Sequence, residues 1–296
     1  MKRILIIGGS GFIGQHLIEL LQEKKAYNLS VFDLQKPQFV DFGGKFLVGD
    51  ITNASQVSSS VKNHDYIVDL AGILGTNETF NDVARVVRVN VEGAVNVFEA
   101  AKKHKKKVVY VSLTNDWLNP YTITKQAANR LAQMYFQQLG AKISVLRGLN
   151  VYGEYQKFHS VKKIGPQFIV NALMNKPVTI YGNGLQRVDL VDAKDVVRAI
   201  FSAMNNEKSY GEIIDIGTGQ AVKVIDVAKL VIGLCKSKSK IVKVPLRRGE
   251  PKNSVTVADI RNAKKILEFT CNTPLRDGLL RTIQWYKSEI DNLDRL

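Results

Sequence analysis

The sequence predicts a doubly wound α/β fold, in which helices cover both faces of a parallel sheet. In the first half of the chain, short β-branched apolar runs alternate with longer segments whose apolar residues recur at helical spacing. This alternation predicts parallel strands joined by right-handed helical crossovers. In chain order we predict a strand at 2–7, a helix at 12–23, strands at 29–34, 45–48 and 66–70, a helix at 82–103, a strand at 107–112, a helix at 121–139 and a strand at 142–146.

The alternation becomes less regular after about residue 150, which indicates a smaller second unit. We expect residues 1–150 to form the main α/β domain, with returning segments at about 188–217, and residues 151–296 to form mainly the smaller domain. The length of 296 residues fits two domains or one large α/β unit. The predicted elements of this half are helices at 165–175 and 193–205, strands at 188–191 and 212–216, and helices at 226–235, 259–267 and 274–291.

Composition excludes several classes of protein. A hydrophobic fraction of 45% and a charged fraction of 23% are ordinary for a chain with a packed core. No apolar run approaches the ~18 residues needed to span a membrane. The two cysteines, Cys235 and Cys271, form no C-x-x-C pair, so we expect no metal site and a reducing, cytoplasmic location.

The chain carries a formal charge of +15, with 42 lysines and arginines against 27 acidic residues. This charge is compatible with nucleic acid, an anionic membrane or a phosphorylated small molecule as partner. The densest basic run, residues 102–107, ends a predicted helix, where cations complement the helix dipole. It is either a solvated helix end or a binding patch. Aromatic residues are not interleaved with the basic runs, so we do not expect a nucleic-acid partner.

A glycine-rich turn joins the first predicted strand to the first predicted helix. Gly8, Gly11 and Gly14 permit a tight turn, the close approach of a pyrophosphate, and the packing of the helix on the strand. The free N–H groups of the helix N-terminus then favour phosphate binding. In this position the pattern predicts a dinucleotide site.

Asp33 ends the second predicted strand, 33 − 14 = 19 residues after Gly14. A carboxylate at this spacing accepts hydrogen bonds from both ribose hydroxyls and repels a 2′-phosphate, which favours NAD over NADP. Lys36 weakens this preference slightly. The alternative is that Asp33 only caps its strand.

The spacing Gly-x-x-Gly-x-x-Gly, together with several later segments, resembles the extended short-chain dehydrogenase/reductases of the NAD-dependent epimerase/dehydratase type, and is similar to UDP-glucose 4-epimerases. The resemblance covers nearly the whole chain. It implies a Rossmann-type NAD-binding domain, a smaller C-terminal substrate-binding domain and a nucleotide-diphosphate sugar as substrate. The segments that carry it are residues 49–51, 70–72, 90–93, 121–125, 147–153 and 247–250.

The resemblance also implies roles for individual residues. The implied cofactor-binding residues are Gly8, Gly11, Phe12, Ile13, Gly14, Asp33, Asp50, Ile51, Leu70, Ala71, Gly72, Asn90, Ser112, Tyr121 and Lys125. The implied substrate-binding residues are Asn150, Arg187, Arg247 and Glu250. Val188 occupies the position where the family's arginine normally falls, so Arg187 is either a ligand contact or exposed surface. We expect Asp189 and Asp195 to cap local structure.

Tyr121 and Lys125 are four residues apart and therefore share one helical face. A free tyrosine has a pKa of ~10 and is a poor base at neutral pH. A nearby ammonium and a nicotinamide cation favour the phenolate, so we expect a lowered pKa for Tyr121. The phenolate would remove a proton from a sugar hydroxyl while NAD takes the hydride from the same carbon. In the epimerase reaction that the resemblance implies, the keto-sugar turns over and receives the hydride on its other face.

The third catalytic residue of the family, a serine or threonine, is less clear in this sequence. Thr114 and Ser112 are the candidates, and Thr114 is favoured. Only 121 − 114 = 7 positions separate Thr114 from Tyr121, so the intervening loop is short. An alternative is therefore a non-catalytic NAD(P)-binding scaffold, associated with RNA or with a larger assembly.

Two further expectations come from the resemblance. A Thr-Asp-Glu triplet typical of dehydratases is missing after the strand at 107–112, which disfavours 4,6-dehydration. Relatives often dimerise through a four-helix bundle, so we expect a homodimer formed through the helices at 82–103 and 121–139.

Overall fold

A seven-stranded parallel sheet forms the centre of the computed structural model, which describes residues 1–159 and 161–295. The strand order is β11-β6-β5-β4-β1-β2-β3, and every neighbouring pair is parallel. The doubly wound α/β prediction is therefore confirmed. The strands are β1 (Lys2–Ile7), β2 (Tyr27–Asp33), β3 (Lys45–Val48), β4 (Tyr66–Asp69), β5 (Lys107–Ser112), β6 (Lys142–Gly148) and β11 (Ile213–Ile216).

Helices cover both faces of the sheet because its strands are apolar on both sides. In β1, Ile4 and Ile6 belong to one core, whereas Leu5 and Ile7 belong to the other, as expected for side chains that alternate along a strand. The first core is covered by α1 (Phe12–Glu23), α7 (Ala193–Met204) and α9 (Arg261–Leu267). The second is covered by α2 (Ala54–Lys62), α4 (Gly93–His104) and α5 (Pro120–Leu139).

A third core lies in the C-terminal part of the chain. It is formed chiefly by α6 (Ile164–Leu173), α8 (Val224–Leu234) and α10 (Leu275–Glu289). Short strands in this part of the chain form three small sheets: β7 (Val151–Tyr152) with β10 (Val191–Asp192), β8 (Val178–Tyr181) with β13 (Ile241–Val244), and β9 (Arg187–Val188) with β12 (Val222–Lys223) and β14 (Val255–Thr256). Short 3₁₀ segments lie at Glu78–Asn81, Glu207–Ser209 and Ile290–Arg295. In the described residues, no helix is long and apolar enough to cross a membrane.

The structure corrects some predicted elements. Helix α2 and strands β8 and β13 were not predicted. The single strand predicted at 188–191 is wrong. Two short strands, β9 and β10, take its place, and the buried residue Asp189 lies in the segment between them. Its carboxylate accepts hydrogen bonds from the backbone N–H groups of Thr218, Gly219 and Ala258, which confirms the predicted capping role.

The helix predicted at 82–103 is interrupted. It consists of α3 (Val83–Val87), a π-helical turn at Arg88–Glu92, and α4. Single π turns are frequent at functional sites because they re-aim a side chain. Here the turn contains the buried residue Asn90.

The basic run at the end of α4 is a solvated helix end with ion pairs. Lys102 lies 2.9 Å from Glu99, and Lys107 lies 2.8 Å from Glu207. Lys102, Lys103 and His104 occupy the last turn, where positive charge complements the helix dipole. These contacts favour the interpretation of this run as a solvated helix end over that as a binding patch.

The glycine turn lies where the strand order reverses, since β1 pairs with β2 on one side and with β4 on the other. Open α/β sheets bind ligands in the crevice at this point. Gly8 has a φ of +74°, and a Cβ there would lie 2.7 Å from the backbone nitrogen of Ala71, in the loop after β4. A Cβ on Gly14 would lie 2.4 Å from the carbonyl oxygen of Gly9. The two glycines therefore allow the turn, the helix and the loop to approach closely.

We predict that Gly14→Ala lowers the free energy of unfolding by about 1–3 kcal/mol, because the added methyl group meets rigid backbone. Gly233→Ala is the matched control: Gly233 lies near the end of α8 with open space around it. There alanine should raise stability by about 0.5–1 kcal/mol. Urea denaturation of both variants measures the difference, and equal effects would contradict this account of Gly14.

Candidate active site

The N-terminus of α1 provides the predicted phosphate-binding surface. Gly11 is the N-cap residue and makes no side-chain capping bond, so the first N–H groups of the helix have no side-chain partner there. Phe12 and Ile13 follow in the first turn. Free N–H groups and the positive end of the helix dipole together favour an anion.

Asp33 lies beside this turn at the end of β2. One carboxylate oxygen accepts a hydrogen bond from the backbone N–H of Ser10 at 3.0 Å, and the other accepts from Leu34 at 2.7 Å. Each oxygen keeps a second lone pair, and the residue is half-buried. The carboxylate is therefore oriented by the glycine turn and can still accept from ribose hydroxyls.

Two other predicted cofactor residues lie at the end of β3 and beyond. Asp50 is exposed and accepts hydrogen bonds from the backbone and side chain of Thr52. Ile51 is buried, and its carbonyl oxygen accepts a hydrogen bond from Asn96 of α4. Within the described residues these contacts anchor the segment after β3 to α4.

Asn90 holds the loop that follows β4, where Leu70, Ala71 and Gly72 lie. Its side-chain oxygen accepts a hydrogen bond from the N–H of Ile73 at 2.7 Å, and its amide nitrogen donates to the carbonyl of Ile73 at 2.9 Å and to the hydroxyl of Thr124 at 3.0 Å. The π turn thus connects the loop to α5. The side chain of Asn90, a predicted cofactor residue, thus positions the loop that follows β4.

Lys125 is buried beneath the same loop. Its ammonium donates hydrogen bonds to the carbonyl oxygens of Val111 at 3.1 Å and Ala71 at 3.4 Å, and lies 4.5 Å from the centroid of the Tyr110 ring. Burial lowers the pKa of Lys125 to about 8, and the negative charge of Asp69 opposes this shift. The lysine therefore joins the ends of two neighbouring strands.

Asp69 ends β4 and has no solvent exposure. One carboxylate oxygen accepts a hydrogen bond from the N–H of Ala71 at 3.1 Å, and the other has no partner among the described residues. Burial raises the pKa of Asp69 to about 6, with Lys125 acting in the opposite direction. Asp69 and Lys125 thus bind the two polar groups of the same residue, Ala71. Asp69 was not among the residues predicted from the sequence.

Tyr121 lies in the first turn of α5. Asn119 caps this helix by accepting a hydrogen bond from the N–H of Thr122 at 3.0 Å, and Pro120 is its first residue. Burial raises the pKa of Tyr121 to about 12. The lowered pKa is expected with both Lys125 and a nicotinamide cation beside the phenol. In the protein alone the pKa is raised instead, because burial penalises the phenolate.

The two candidates for the third catalytic residue lie between β5 and α5. Ser112 is buried at the end of β5, and its hydroxyl has no hydrogen-bond partner in the described part of the chain. Thr114 is half-buried, and its carbonyl oxygen accepts a hydrogen bond from Gln126 at 3.4 Å. The geometry leaves both hydroxyls as candidates.

The segment 247–250 packs against the start of α5. Gly249 has a φ of +77°, and its carbonyl oxygen accepts a hydrogen bond from Asn119 at 3.4 Å. Arg247 donates to Glu250 at 2.9 Å and to the carbonyl oxygen of Lys162 at 3.0 Å. The structure thus brings two predicted substrate residues, Arg247 and Glu250, close to the helix that carries Tyr121.

Lys163 is a charged residue that the sequence analysis missed. Its ammonium lies 5.7 Å from the centroid of the Tyr121 ring. Burial and the neighbouring charge of Arg247 lower the pKa of Lys163 to about 8. The signal was present in the sequence, since two lysines precede a predicted helix at the end where cations are unfavourable.

A narrow pocket of about 50 Å³ lies beside Lys163 and Arg247, and Tyr121 is not among its lining residues. It is lined by Lys162, Lys163, Ile164, Gln167, Phe168, Thr179, Ile180, Tyr181, Gln186, Val224, Arg247 and Glu250. A larger groove of about 930 Å³ lies at the amino-terminal ends of β1, β2 and β3, where it is lined by residues such as Arg3, Tyr27 and Lys45. It is remote from the chemistry-bearing residues described above.

The other two predicted substrate residues do not line this pocket. The amide of Asn150, which has a φ of +34°, donates hydrogen bonds to the carbonyl of Asp189 and the hydroxyl of Thr256. Arg187 is exposed and donates to the carbonyl of Ala221. Within residues 1–159 and 161–295, no cluster of three or more His, Cys, Asp or Glu side chains is arranged to hold a metal ion.

Comparison with known proteins identifies the family. The model of the NAD dependent epimerase/dehydratase family matches residues 4–217. The chain is 31% identical to the UDP-N-acetyl-alpha-D-glucosaminuronate decarboxylase of Bacillus cytotoxicus, over 98% of this chain and 99% of that protein. This chain belongs to the NAD-dependent epimerase/dehydratase family.

Solved structures of the same fold carry nucleotide sugars. The UDP-glucose 4-epimerase of Thermotoga maritima, solved with UDP-glucose, is 25% identical and matches with a TM-score of 0.89, over 97% of this chain and 99% of that one. MoeE5, in complex with UDP-glucose and NAD, is 28% identical and matches with a TM-score of 0.87 over the same shares of the two chains.

The cofactor of this family member is NAD, as predicted. The residues of the cleft fit NAD. Gly8 has no Cβ, so the crevice between the turn and Ala71 stays open, and the N-terminus of α1 has no side-chain cap. Asp33 lies beside the turn, where its negative charge would repel a 2′-phosphate.

We predict that Asn90→Ala lowers the free energy of unfolding by about 1–3 kcal/mol, because the half-buried backbone of Ile73 and the buried hydroxyl of Thr124 lose their hydrogen bonds to Asn90. Asn96→Ala, in α4, removes a single bond to Ile51 and should have a smaller effect of about 1 kcal/mol. Chemical denaturation gives both values. Equal losses would indicate that Asn90 does not hold the loop.

Proposed function

We propose that the protein is an NAD-dependent nucleotide-sugar epimerase that inverts C4 of a UDP-sugar. The observation that carries the proposal is the position of Tyr121, at the N-terminus of α5, between the Lys125 loop contact and the segment 247–250. Bound NAD⁺ supplies a reversible acceptor for the hydride of the sugar carbon. The chain's own residues bind the sugar, orient it and move the hydroxyl proton.

Tyr121 is the proposed base. With a pKa of about 12, its phenol is protonated at neutral pH in the protein alone. Two features of the site favour the phenolate: the positive end of the α5 dipole and the ammonium of Lys163 near the ring. Tyr121 would remove the proton from the C4 hydroxyl and return it after the sugar has turned.

Lys125 is the proposed partner of Tyr121 and the proposed contact of the nicotinamide ribose. Its position is well defined, because its ammonium is held by carbonyl oxygens at the ends of β4 and β5. The hydroxyl of Ser112 or Thr114 would complete the site by hydrogen bonding to the reacting oxygen. Thr114 is favoured, as its side chain is half-buried between β5 and α5.

Arg247 and Glu250 are the proposed contacts of the nucleotide. A planar guanidinium can bond two oxygens of a diphosphate at once, and its pairing with Glu250 fixes its orientation. A role for Arg187 and Asn150 is less well supported, since both side chains are hydrogen-bonded within the protein.

A second candidate reaction is decarboxylation of a UDP-linked uronic acid. It is favoured by the 31% identity to a UDP-N-acetyl-alpha-D-glucosaminuronate decarboxylase. Both reactions begin with oxidation at C4, so the same base serves either. They differ in the product: decarboxylation releases carbon dioxide, whereas epimerisation conserves every carbon atom of the sugar.

We predict that Tyr121→Phe reduces the turnover of UDP-sugars by at least about 100-fold while NAD remains bound, because the variant lacks only the proton-transferring oxygen. Tyr27→Phe is the matched control, since Tyr27 begins β2 and thus lies at the end of the strand opposite to Asp33. Chromatography of the sugar products and the absorbance of bound NAD measure the two effects. Unchanged turnover would remove Tyr121 from the mechanism, and no turnover in the native protein would favour the non-catalytic scaffold.

We also propose that the protein is a homodimer formed through α3, α4 and α5. Helices α3 and α5 pack together and expose Val83, Val87 and Ile123, which are 45%, 44% and 52% accessible to solvent. Met134, further along α5, is also exposed. Apolar side chains grouped on one surface indicate an interaction site.

Val83→Glu should shift the protein from dimer to monomer, because it places a charge in the proposed interface. Glutamate is well tolerated at the first position of a helix, so the fold should be retained. Leu185→Glu makes the same change at an exposed site in a remote turn and should leave the dimer intact. Sedimentation velocity reports the mass of each variant, and a monomeric native protein would exclude the proposed interface.

A further inference from the structure

Lys163 occupies an electrostatically unfavourable position. It is the N-cap residue of α6 and makes no side-chain capping bond. The N-terminus of a helix repels cations, and Ser, Thr, Asp or Asn are the residues usually found there. A lysine at this position therefore lowers the stability of the helix.

The ammonium of Lys163 also forms no salt bridge within the described residues, and Glu78 is the acidic group whose charge acts on it. No acceptor among the described residues lies within hydrogen-bond distance of it, although the side chain is partly buried and lines the pocket. The nearby carboxylate of Glu78 accepts hydrogen bonds from the backbone of Lys162 and Asn77, and Glu250 is paired with Arg247. A partly desolvated cation without a partner favours an anionic ligand.

The position of the Lys163 ammonium indicates which part of a nucleotide sugar it would contact, the C6 substituent or the diphosphate on C1. Lys163 lies beside the ring of Tyr121, whereas Arg247 lies towards Tyr181, 5.0 Å from the centroid of that ring. In a sugar oxidised at C4 beside Tyr121, C6 is two bonds from the reacting carbon. The diphosphate is attached at C1, on the other side of the pyranose ring. A cation at Tyr121 is therefore nearer to C6 than to the diphosphate.

We propose that Lys163 binds a carboxylate on C6 of the sugar, so that the substrate is a nucleotide-linked uronic acid. This inference rests on the proposed function, since it uses Tyr121 to define where C4 lies. A charge-assisted hydrogen bond from Lys163 would discriminate a uronate from the corresponding neutral sugar, which offers only a hydroxyl at C6. The Lys163 side chain would thereby make the site prefer a sugar that carries a carboxylate at C6 over one that carries a hydroxyl there.

The test is calorimetric titration of the NAD-loaded protein with UDP-glucuronate, UDP-glucose and UDP. Native protein should bind UDP-glucuronate at least about tenfold more tightly than UDP-glucose, a difference of about 1.4 kcal/mol. Lys163→Met should abolish this preference by weakening UDP-glucuronate alone. Lys163→Arg, which keeps the charge, should retain part of it.

Lys176→Met is the matched control, because it removes the same charge from an exposed lysine just beyond the other end of α6. It should leave all three affinities unchanged. Thermal unfolding of Lys163→Met checks its fold, which should be at least as stable as the native one, since an unfavourable charge is removed from the helix N-terminus.

The outcomes separate the alternatives. An equal loss of affinity for UDP-glucuronate, UDP-glucose and UDP in Lys163→Met would mean that Lys163 binds the diphosphate, and would overturn the proposal. Equal binding of both sugars by the native protein would overturn it as well. A uronate preference that depends on Lys163, without turnover of either sugar, would support this subsite while the proposed epimerase function fails.

Discussion

The buried ammonium of Lys125 is the interaction on which the geometry of the cleft depends. A charged amine inside a protein requires acceptors, and here they are the carbonyl oxygens of Val111 and Ala71. These groups lie at the carboxyl ends of β5 and β4, so the lysine anchors α5 above the edge where the sheet order reverses. The N-terminus of α5, with Tyr121, is placed by the same contact.

The loop after β4 is held from three directions. Asp69 binds the N–H of Ala71, Lys125 binds its carbonyl oxygen, and Asn90 binds both polar groups of Ile73. Gly8 approaches the loop from the other side without a Cβ. A loop fixed in this way can define the floor of a cofactor cleft without regular secondary structure, because its backbone groups are satisfied by buried side chains.

The electrostatics of the site combine two opposed effects. Burial raises the pKa of Tyr121 and lowers those of Lys125 and Lys163, so desolvation disfavours every charged form. The positive end of the α5 dipole and the Lys163 ammonium near the Tyr121 ring act in the opposite direction on the phenolate. Asp69 favours the charged form of Lys125. The phenol of Tyr121 is therefore protonated at neutral pH in the protein alone, and formation of the phenolate requires further positive charge close to the ring.

The parallel sheet, the glycine turn, the position of Asp33 at the end of a strand and the placement of Tyr121 and Lys125 on one helix could be predicted from the sequence, because each depends on local periodicity or short spacing. The family could be predicted from the same motifs. Only the tertiary structure revealed that Asp69 and Lys125 share Ala71, that Lys163 lies beside Tyr121, and that Arg187 and Asn150 are bonded within the protein. Contacts between residues tens of positions apart, and the effect of burial on a pKa, depend on how distant segments pack together, which the local pattern of a chain does not contain.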